Sequence, residues 1–193
     1  STLAHGADKG LHGRLVHWQR LVARRQTSAF VAWDRLARRW HFVKVYKDPE
    51  AARRETAVLR ALPRHPCLGR PRGVFLHGGY GHILMDLARG RSLRQIINER
   101  GPLPVPLVRA IARNLLLALV AVHRAGYVHG DLHSGNVILT GPRRGRIKIV
   151  DFQHAARKDR SGKAQAVRRL DRIRTWLAPE TSTGLLDDRT DLY

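Results

Sequence analysis

A chain of 193 residues with 36 Lys and Arg against 15 Asp and Glu carries a formal net charge of +21. Its 43% hydrophobic content supports a folded protein, either one compact domain or two small lobes around a cleft, and excludes a wholly disordered polyelectrolyte. The charge predicts attraction to polyanions such as acidic protein, phosphorylated ligands, nucleic acid or anionic lipid, or equally a solvated basic face. The one cysteine, Cys67, excludes an internal disulfide and fits a reducing, cytoplasmic compartment. No signal-peptide pattern opens the chain. Its longest uncharged apolar stretch, 114–122, is shorter than a bilayer requires, so no transmembrane segment is expected.

In chain order, residues 1–13 are polar and glycine-containing, and read as a mobile lead-in. Three β-like segments follow, around 21–23, 30–33 and 41–46; the third, His41-Phe42-Val43-Lys44-Val45-Tyr46, embeds one lysine. Asp48-Pro49-Glu50 opens a helix with a cap residue, a proline at the first helical position and an acid in the first turn. Pro63 and Pro66 end that helix near Leu62. Strands are expected at 74–77 and 82–87, joined by the glycine-rich turn Gly78-Gly79-Tyr80-Gly81. Beyond Gly90 the pattern turns helical, with a short helix over 92–100 and a long one over 105–124 ended by Gly126. The long helix is apolar almost all round, which predicts a core position. Strands at 137–140 and 146–150, joined by a turn at 141–145, complete the readable elements.

Between the long helix and those last strands lies His129-Gly130-Asp131-Leu132-His133-Ser134-Gly135-Asn136. It sets a carboxylate and a carboxamide five residues apart on a short loop. A second carboxylate follows in Asp151-Phe152-Gln153, at the tip of the strand Ile147-Lys148-Ile149-Val150. Phosphoryl transfer from Mg-ATP needs that set: one carboxylate orients the attacking hydroxyl, and an amide and a second carboxylate hold divalent ions over the phosphates. An isolated Asp beside Gly is ordinary turn chemistry. The Asn five residues on, with helix-loop-strand-turn-strand around both, favours the catalytic reading.

At these residues the chain resembles the protein-kinase-like superfamily, whose catalytic loop reads His-Arg-Asp with Asn five places on and whose metal motif reads Asp-Phe-Gly. The resemblance implies an α+β, two-lobed protein-kinase-like fold. Residues 14–88 would form a small β-rich N-lobe of five strands and one helix, and residues 89–193 a mostly helical C-lobe, shortened or truncated. It implies ATP and Mg2+ or Mn2+ as cofactors, Asp131, Asn136 and Asp151 as catalytic residues, and Asn136 and Asp151 as metal ligands. Lys44 would hold the α- and β-phosphates, and Glu55 on the following helix would hold Lys44. Met85 would be the gatekeeper, with backbone groups near Asp86 and Ala88 pairing with adenine.

Four departures from the family pattern stand out. No Gly-x-Gly-x-x-Gly lies between the first two strands; Arg25-Gln26-Thr27-Ser28-Ala29 stands there, and Gly10 and Gly13 lie upstream. Gln153 replaces the motif glycine, which stiffens the backbone against a flip. Gly130 replaces the Arg that anchors a phosphorylated loop, so regulation by loop phosphorylation is not expected. His133 replaces the Lys two places after the base, in the manner of aminoglycoside, choline, RIO-type and lipopolysaccharide-core kinases.

The tail supports two readings. Ala178-Pro179-Glu180 looks like the end of an activation segment, with Asp191-Leu192-Tyr193 starting the next helix. Alternatively, Val167, Leu170, Ile173 and Leu177 recur at helical spacing, making 164–177 one helix with Asp171 its buried acid. The second reading is preferred because a helix through Trp176 accounts for more residues. The expected activity is transfer of a γ-phosphoryl group to a hydroxyl, first of protein Ser or Thr. The expected partners are ATP and an acidic protein or a phosphorylated glycolipid, with anionic-surface contact through the Arg-rich face. A lipopolysaccharide-core or other small-molecule kinase is the enzyme rival, and a pseudokinase used as a basic binding module the non-enzyme one.

Overall fold

A computed structural model describes residues 13–141, 144–166 and 178–193. The polar lead-in before Gly13 lies outside them, as do Val167, Leu170, Asp171, Ile173, Trp176 and Leu177 of the helical-spacing reading. The chain divides into two compact units, residues 1–60 with 69–88 and residues 61–68 with 89–193.

Among its described residues the first unit is built on a five-stranded antiparallel sheet and the helix that follows its third strand. Strands β1 (Leu15–Ala23), β2 (Thr27–Asp34), β3 (Arg39–Tyr46), β4 (Pro71–His77) and β5 (Tyr80–Asp86) are ordered β1-β2-β3-β5-β4, which puts β3 at the centre. Helix α1 (Pro49–Ala61) follows β3 almost directly. β1 begins six residues earlier than its alternation suggests. His17 takes a left-handed φ of 52° and the register with β2 slips twice, so the period of two is broken inside the strand. One face of the sheet buries Leu15, Ala32, Val43, Phe75 and Leu84, with Trp18, Phe30 and Val45 packed around them. Each Leu, Val or Phe among them contributes about 1.5–3 kcal/mol on burial.

A buried ion cluster fastens this sheet. Asp34 is fully buried and accepts from Arg14 Nε at 2.6 Å and Nη2 at 2.5 Å. It also accepts from the Leu36 and Ala37 amides, and His41 Nε2 lies 3.3 Å away. The Arg14 hydrogen bond, aided by those amides, outweighs burial and lowers the Asp34 carboxyl to about 2. A depressed carboxyl adds stability that is complete above the ordinary Asp value of about 3.9 and is lost as pH falls through the folded value. Asp34→Asn is therefore expected to be less stable at neutral pH. It should also lose less stability between about pH 5 and about pH 2, checked by urea titration followed through tryptophan fluorescence.

Among its described residues the second unit carries two α-helices and several short sheets. β6 (Arg91–Ser92) leads into α2 (Leu93–Arg100), where Ser92 and Gln95 form a reciprocal capping box. α3 (Val105–Arg124) is followed by β7 (Tyr127–Val128), β8 (Val137–Gly141), β9 (Arg146–Ile149), β10 (Ala156–Arg157), β11 (Ala164–Gln165) and β12 (Leu185–Leu186). The sheets are β6-β8-β9, β7-β10 and β11-β12. Residues 61–68, which the sequence assigned to the first lobe, group here. Leu68 bridges Ile149, Cys67 accepts from the Ile149 amide, and Lys148 Nζ donates to the Leu68 carbonyl.

Two expectations are corrected. α3 is not a core helix on all sides: Ile111, Ala118, Leu119 and Val122 are buried, whereas Val108, Leu116, Leu117 and Val120 are 45–52% exposed. At 20 residues it is also long and apolar enough to cross a membrane by length and composition alone, which an uncharged-stretch count misses because Arg109 and Arg113 lie near its start. In this fold its inner face packs on the second unit, and Asn114 Nδ2 donates to the Gly145 carbonyl at 2.9 Å.

The tail also differs from the preferred reading. Ala164 and Gln165 are a strand paired with Leu186 and Leu185, so no helix starts at Ala164. Asp191, at the end of a 3-10 turn spanning Asp188–Asp191, is a buried acid, and Asp171 lies outside the described residues. Pro179–Ser182 form another 3-10 turn, and Glu180 Oε1 accepts from Thr190 Oγ1 at 2.8 Å.

Candidate active site

In the first unit, Lys44 is 7% exposed on the central strand, a costly place for a lone ammonium. Glu55 resolves that cost. It faces inward from α1, 2% exposed, and Lys44 Nζ donates to its two oxygens at 3.2 and 3.0 Å. The strand–helix juxtaposition read from the sequence is thus a buried ion pair. A third member was not foreseen. Tyr46 donates its hydroxyl to Glu55 Oε2, and its ring centroid lies 5.0 Å from the Lys44 ammonium. The signal was available, since residues 44 and 46 share one face of a strand.

At the end of β5 the Asp86 side chain is occupied. Arg72 grips it through Nε at 2.8 Å and Nη2 at 2.6 Å, and Arg39 Nη2 lies 3.9 Å away. Burial pushes the Asp86 carboxyl up, but the Arg72 hydrogen bond and nearby positive charges outweigh it and hold it low. Met85 is buried, with its carbonyl 3.2 Å from His41 Nδ1. The turn between β1 and β2 is Arg24-Arg25-Gln26, closed by the Arg24 amide donating to the Thr27 carbonyl.

The second unit brings the loop carboxylate, the amide and the second carboxylate onto neighbouring pieces of backbone. Asn136 Nδ2 donates to the Asp131 carbonyl at 2.8 Å, which fixes the amide so that Oδ1 is the atom left for a cation. The Val150 amide donates to the Asn136 carbonyl at 2.9 Å, continuing the pairing of Val137 with Ile149. Residue 151 therefore starts beside residue 136. Asp151 has φ of 68°, a left-handed backbone uncommon outside glycine. Strained non-glycine backbone of this kind persists where surrounding structure over-determines it, commonly at functional sites.

His129 staples the two motifs. The Asp131 amide donates to its Nδ1 at 3.3 Å, so Nε2 carries the proton and donates to the Val150 carbonyl at 3.2 Å. Its fully buried ring meets Phe152 edge-on at 4.7 Å. Between them Gly130 has φ of 74°, and a Cβ there would sit 2.9 Å from the His154 carbonyl oxygen. Only glycine fits.

Asp191 pins the same loop from below. It accepts from the His129 amide at 2.8 Å and the Gly130 amide at 2.9 Å, and its Oδ2 lies 2.8 Å from His123 Nε2 on α3. Burial pushes its carboxyl up, but the His123 hydrogen bond, His129 and the two amides outweigh burial and hold it below the ordinary range. Neither partner was legible, because the bonds join residues 61 to 68 positions apart.

The loop carboxylate itself is 5% exposed, and its Oδ1 has no hydrogen-bond partner among the described residues. A bare buried carboxylate oxygen costs about 1–3 kcal/mol. Among the described residues no group of three or more His, Cys, Asp or Glu gathers as a protein metal cage. An Asn–Asp pair does suit Mg2+, which keeps waters and takes substrate phosphates as its remaining ligands.

The sequence pattern of the protein kinase domain matches residues 20–191. The chain belongs to the protein kinase domain family. It is 32% identical over 117 residues to serine/threonine-protein kinase PknL of Mycobacterium tuberculosis, covering 60% of this chain and 29% of that protein. It is 31% identical over 144 residues to human dual specificity testis-specific protein kinase 1, covering 72% of this chain and 23% of that protein. A probable serine/threonine-protein kinase of Clostridium perfringens is 32% identical over 113 residues, 58% of this chain and 16% of the relative. The chain thus spans less than a third of the length of each of these kinases. The protein kinase family gives the α+β, two-lobed frame its name here: the sheet unit is the N-lobe, and the unit bearing Asp131 belongs to the C-lobe.

Proposed function

We propose that this kinase domain is an active phosphotransferase that moves the γ-phosphoryl group of Mg-ATP to a hydroxyl, with Ser or Thr of an acidic protein as acceptor. One observation carries the reading: a buried carboxylate, Asp131, keeps one oxygen bare while its backbone holds the Asn136 amide in place. A folded protein tolerates that cost where the oxygen has work to do. The Asp131 carboxylate accepts the acceptor hydroxyl's hydrogen and orients its oxygen for in-line attack. Asn136 Oδ1 and the Asp151 carboxylate would hold the metal. When bound, Mg2+ neutralises charge on the phosphate oxygens. Lys44 holds the α- and β-phosphates, with its ammonium kept in place by Glu55 and Tyr46. Backbone groups at Asp86 and Ala88 take the adenine.

The relatives named serine/threonine-protein kinases support the choice of acceptor. The charge of +21 favours an acidic partner and disfavours a cationic small molecule. Cys67, buried, with its thiol pushed up by that burial, fits a cytoplasmic setting. The test is label transfer from γ-labelled ATP with Mg2+ to dephosphorylated casein, followed by acid hydrolysis and separation of phosphoamino acids. Phosphoserine and phosphothreonine are expected. Label found only on purified lipopolysaccharide-core glycolipid would move the acceptor from protein to sugar, and ATP binding with no transfer to either would make the domain a pseudokinase.

A further inference from the structure

Three side chains meet where β3 runs into α1. Tyr46 is 3% exposed, and its hydroxyl donates to Glu55 Oε2, the oxygen that also takes Lys44 Nζ at 3.0 Å. A buried phenol needs a partner for its hydroxyl, and here the partner is the carboxylate. The centroid of the same ring lies 5.0 Å from the ammonium. One side chain thus touches both members of the ion pair. A buried ion pair by itself gains little, because desolvation of two charges offsets their attraction. The third contact is charge-assisted, and it decides whether the pair stays closed.

The backbone holds α1 in the same place. Only Lys47 and Asp48 separate it from β3. The Lys47 amide donates to the Gln26 carbonyl at 3.1 Å, and Asp48 Oδ1 accepts from the Glu50 amide at 2.9 Å, so the connection carries no slack. On the neighbouring strand β5, Gly81 is the residue paired with Tyr46. A Cβ at Gly81 would stand 2.7 Å from the Ala52 Cβ and 2.9 Å from the Pro49 Cα. The sheet is therefore packed directly on the first turn of α1, with Ala52 fully buried.

We propose that Tyr46 is a positioning residue whose hydroxyl locks Glu55 onto Lys44 independently of nucleotide, so that α1 is a standing part of the site rather than one assembled by the ligand. The inference rests on the reading of Lys44 as the residue that holds the phosphates. Without the hydroxyl, the pair opens in a fraction of the molecules. A ligand that needs the closed pair then binds more weakly by that fraction, while the saturated state is unaltered. ATP needs the pair, because its phosphates meet the Lys44 ammonium. Adenosine, which has no phosphate, does not. Phenylalanine at position 46 keeps the ring beside the ammonium and removes the hydroxyl alone, so it isolates the contact to Glu55.

The experiment takes wild type, Tyr46→Phe, Lys44→Met and the double variant. It measures equilibrium binding of Mg-ATP and of adenosine, steady-state phosphorylation of casein, and amide hydrogen exchange of α1 with and without Mg-ATP. Wild-type α1 should exchange at the same rate in both states. In Tyr46→Phe it should exchange on the order of tenfold faster without nucleotide and return to the wild-type rate with saturating Mg-ATP. Tyr46→Phe is also expected to bind Mg-ATP on the order of tenfold more weakly, with adenosine affinity unchanged and most of kcat kept at saturating ATP. In the double variant, Tyr46→Phe should cost no ATP affinity beyond that lost in Lys44→Met. Wild-type exchange and ATP affinity in Tyr46→Phe would overturn the lock. So would equal losses of ATP and adenosine affinity, the mark of general damage, or wild-type α1 protected only when nucleotide is bound. Unchanged ATP affinity in Lys44→Met would instead remove Lys44 from the phosphate site, and the exchange comparison without nucleotide would still decide the lock.

Discussion

Asp131→Ala is expected to lower kcat by on the order of 10²–10⁴ while raising the melting temperature. The two effects share one cause. The wild-type carboxylate is buried with Oδ1 unpartnered, and removing it relieves a desolvation cost of about 1–3 kcal/mol. For a chain of this size each kcal/mol is worth about 2–4 °C. Activity falling as stability rises marks a functional group, because a structural carboxylate would lose both together. The affinity for Mg-ATP should be unchanged, since Asp131 addresses the acceptor and not the nucleotide. Kinetics, equilibrium nucleotide binding and a thermal melt on the same preparations check all three parts.

Asp191→Ala should give the opposite signature. Its carboxylate is 6% exposed and takes two backbone amides and the His123 ring. Removal strands the amides of the very peptide that leads into Asp131. A buried charge network broken on one side costs about 3–5 kcal/mol, and the loop that carries Asp131 loses its anchor. The melting temperature and kcat are expected to fall together. The pH dependence follows from the lowered folded value. The contribution is fully present above the ordinary Asp value of about 3.9 and disappears as pH drops through the lower folded one. Wild type should therefore lose more stability on acidification through that window than Asp191→Asn, measured by denaturant titration at a series of pH values.

What could be read in advance follows the range of the interactions. The catalytic loop was legible because Asp131 and Asn136 lie five residues apart, and one hydrogen bond, Asn136 Nδ2 to the Asp131 carbonyl, makes that spacing a unit. Lys44 and Glu55 were legible through the order strand-then-helix, and Tyr46 could have been found with them by the two-residue period. The first half of β1 was hidden by the bulge at His17, which breaks the alternation that marks a strand. α3 misled because apolar composition does not say which side is packed; only one stripe, through Ile111, Ala118 and Val122, is buried. The helix start at Ala164 was misread because helical spacing is a local signal. The pairing of β11 with β12 and the contacts of Asp191 are set across the fold.

The proposal that this domain performs phosphoryl transfer is tested most directly by incubating the protein with casein and ATP labelled on either the γ- or the α-phosphate, with Mg2+ and with chelator. Acid-stable label on casein from the γ-labelled nucleotide alone, abolished by chelator and by Asp131→Ala, is the predicted result. Label from neither nucleotide, or an undiminished signal from Asp131→Ala, would contradict it.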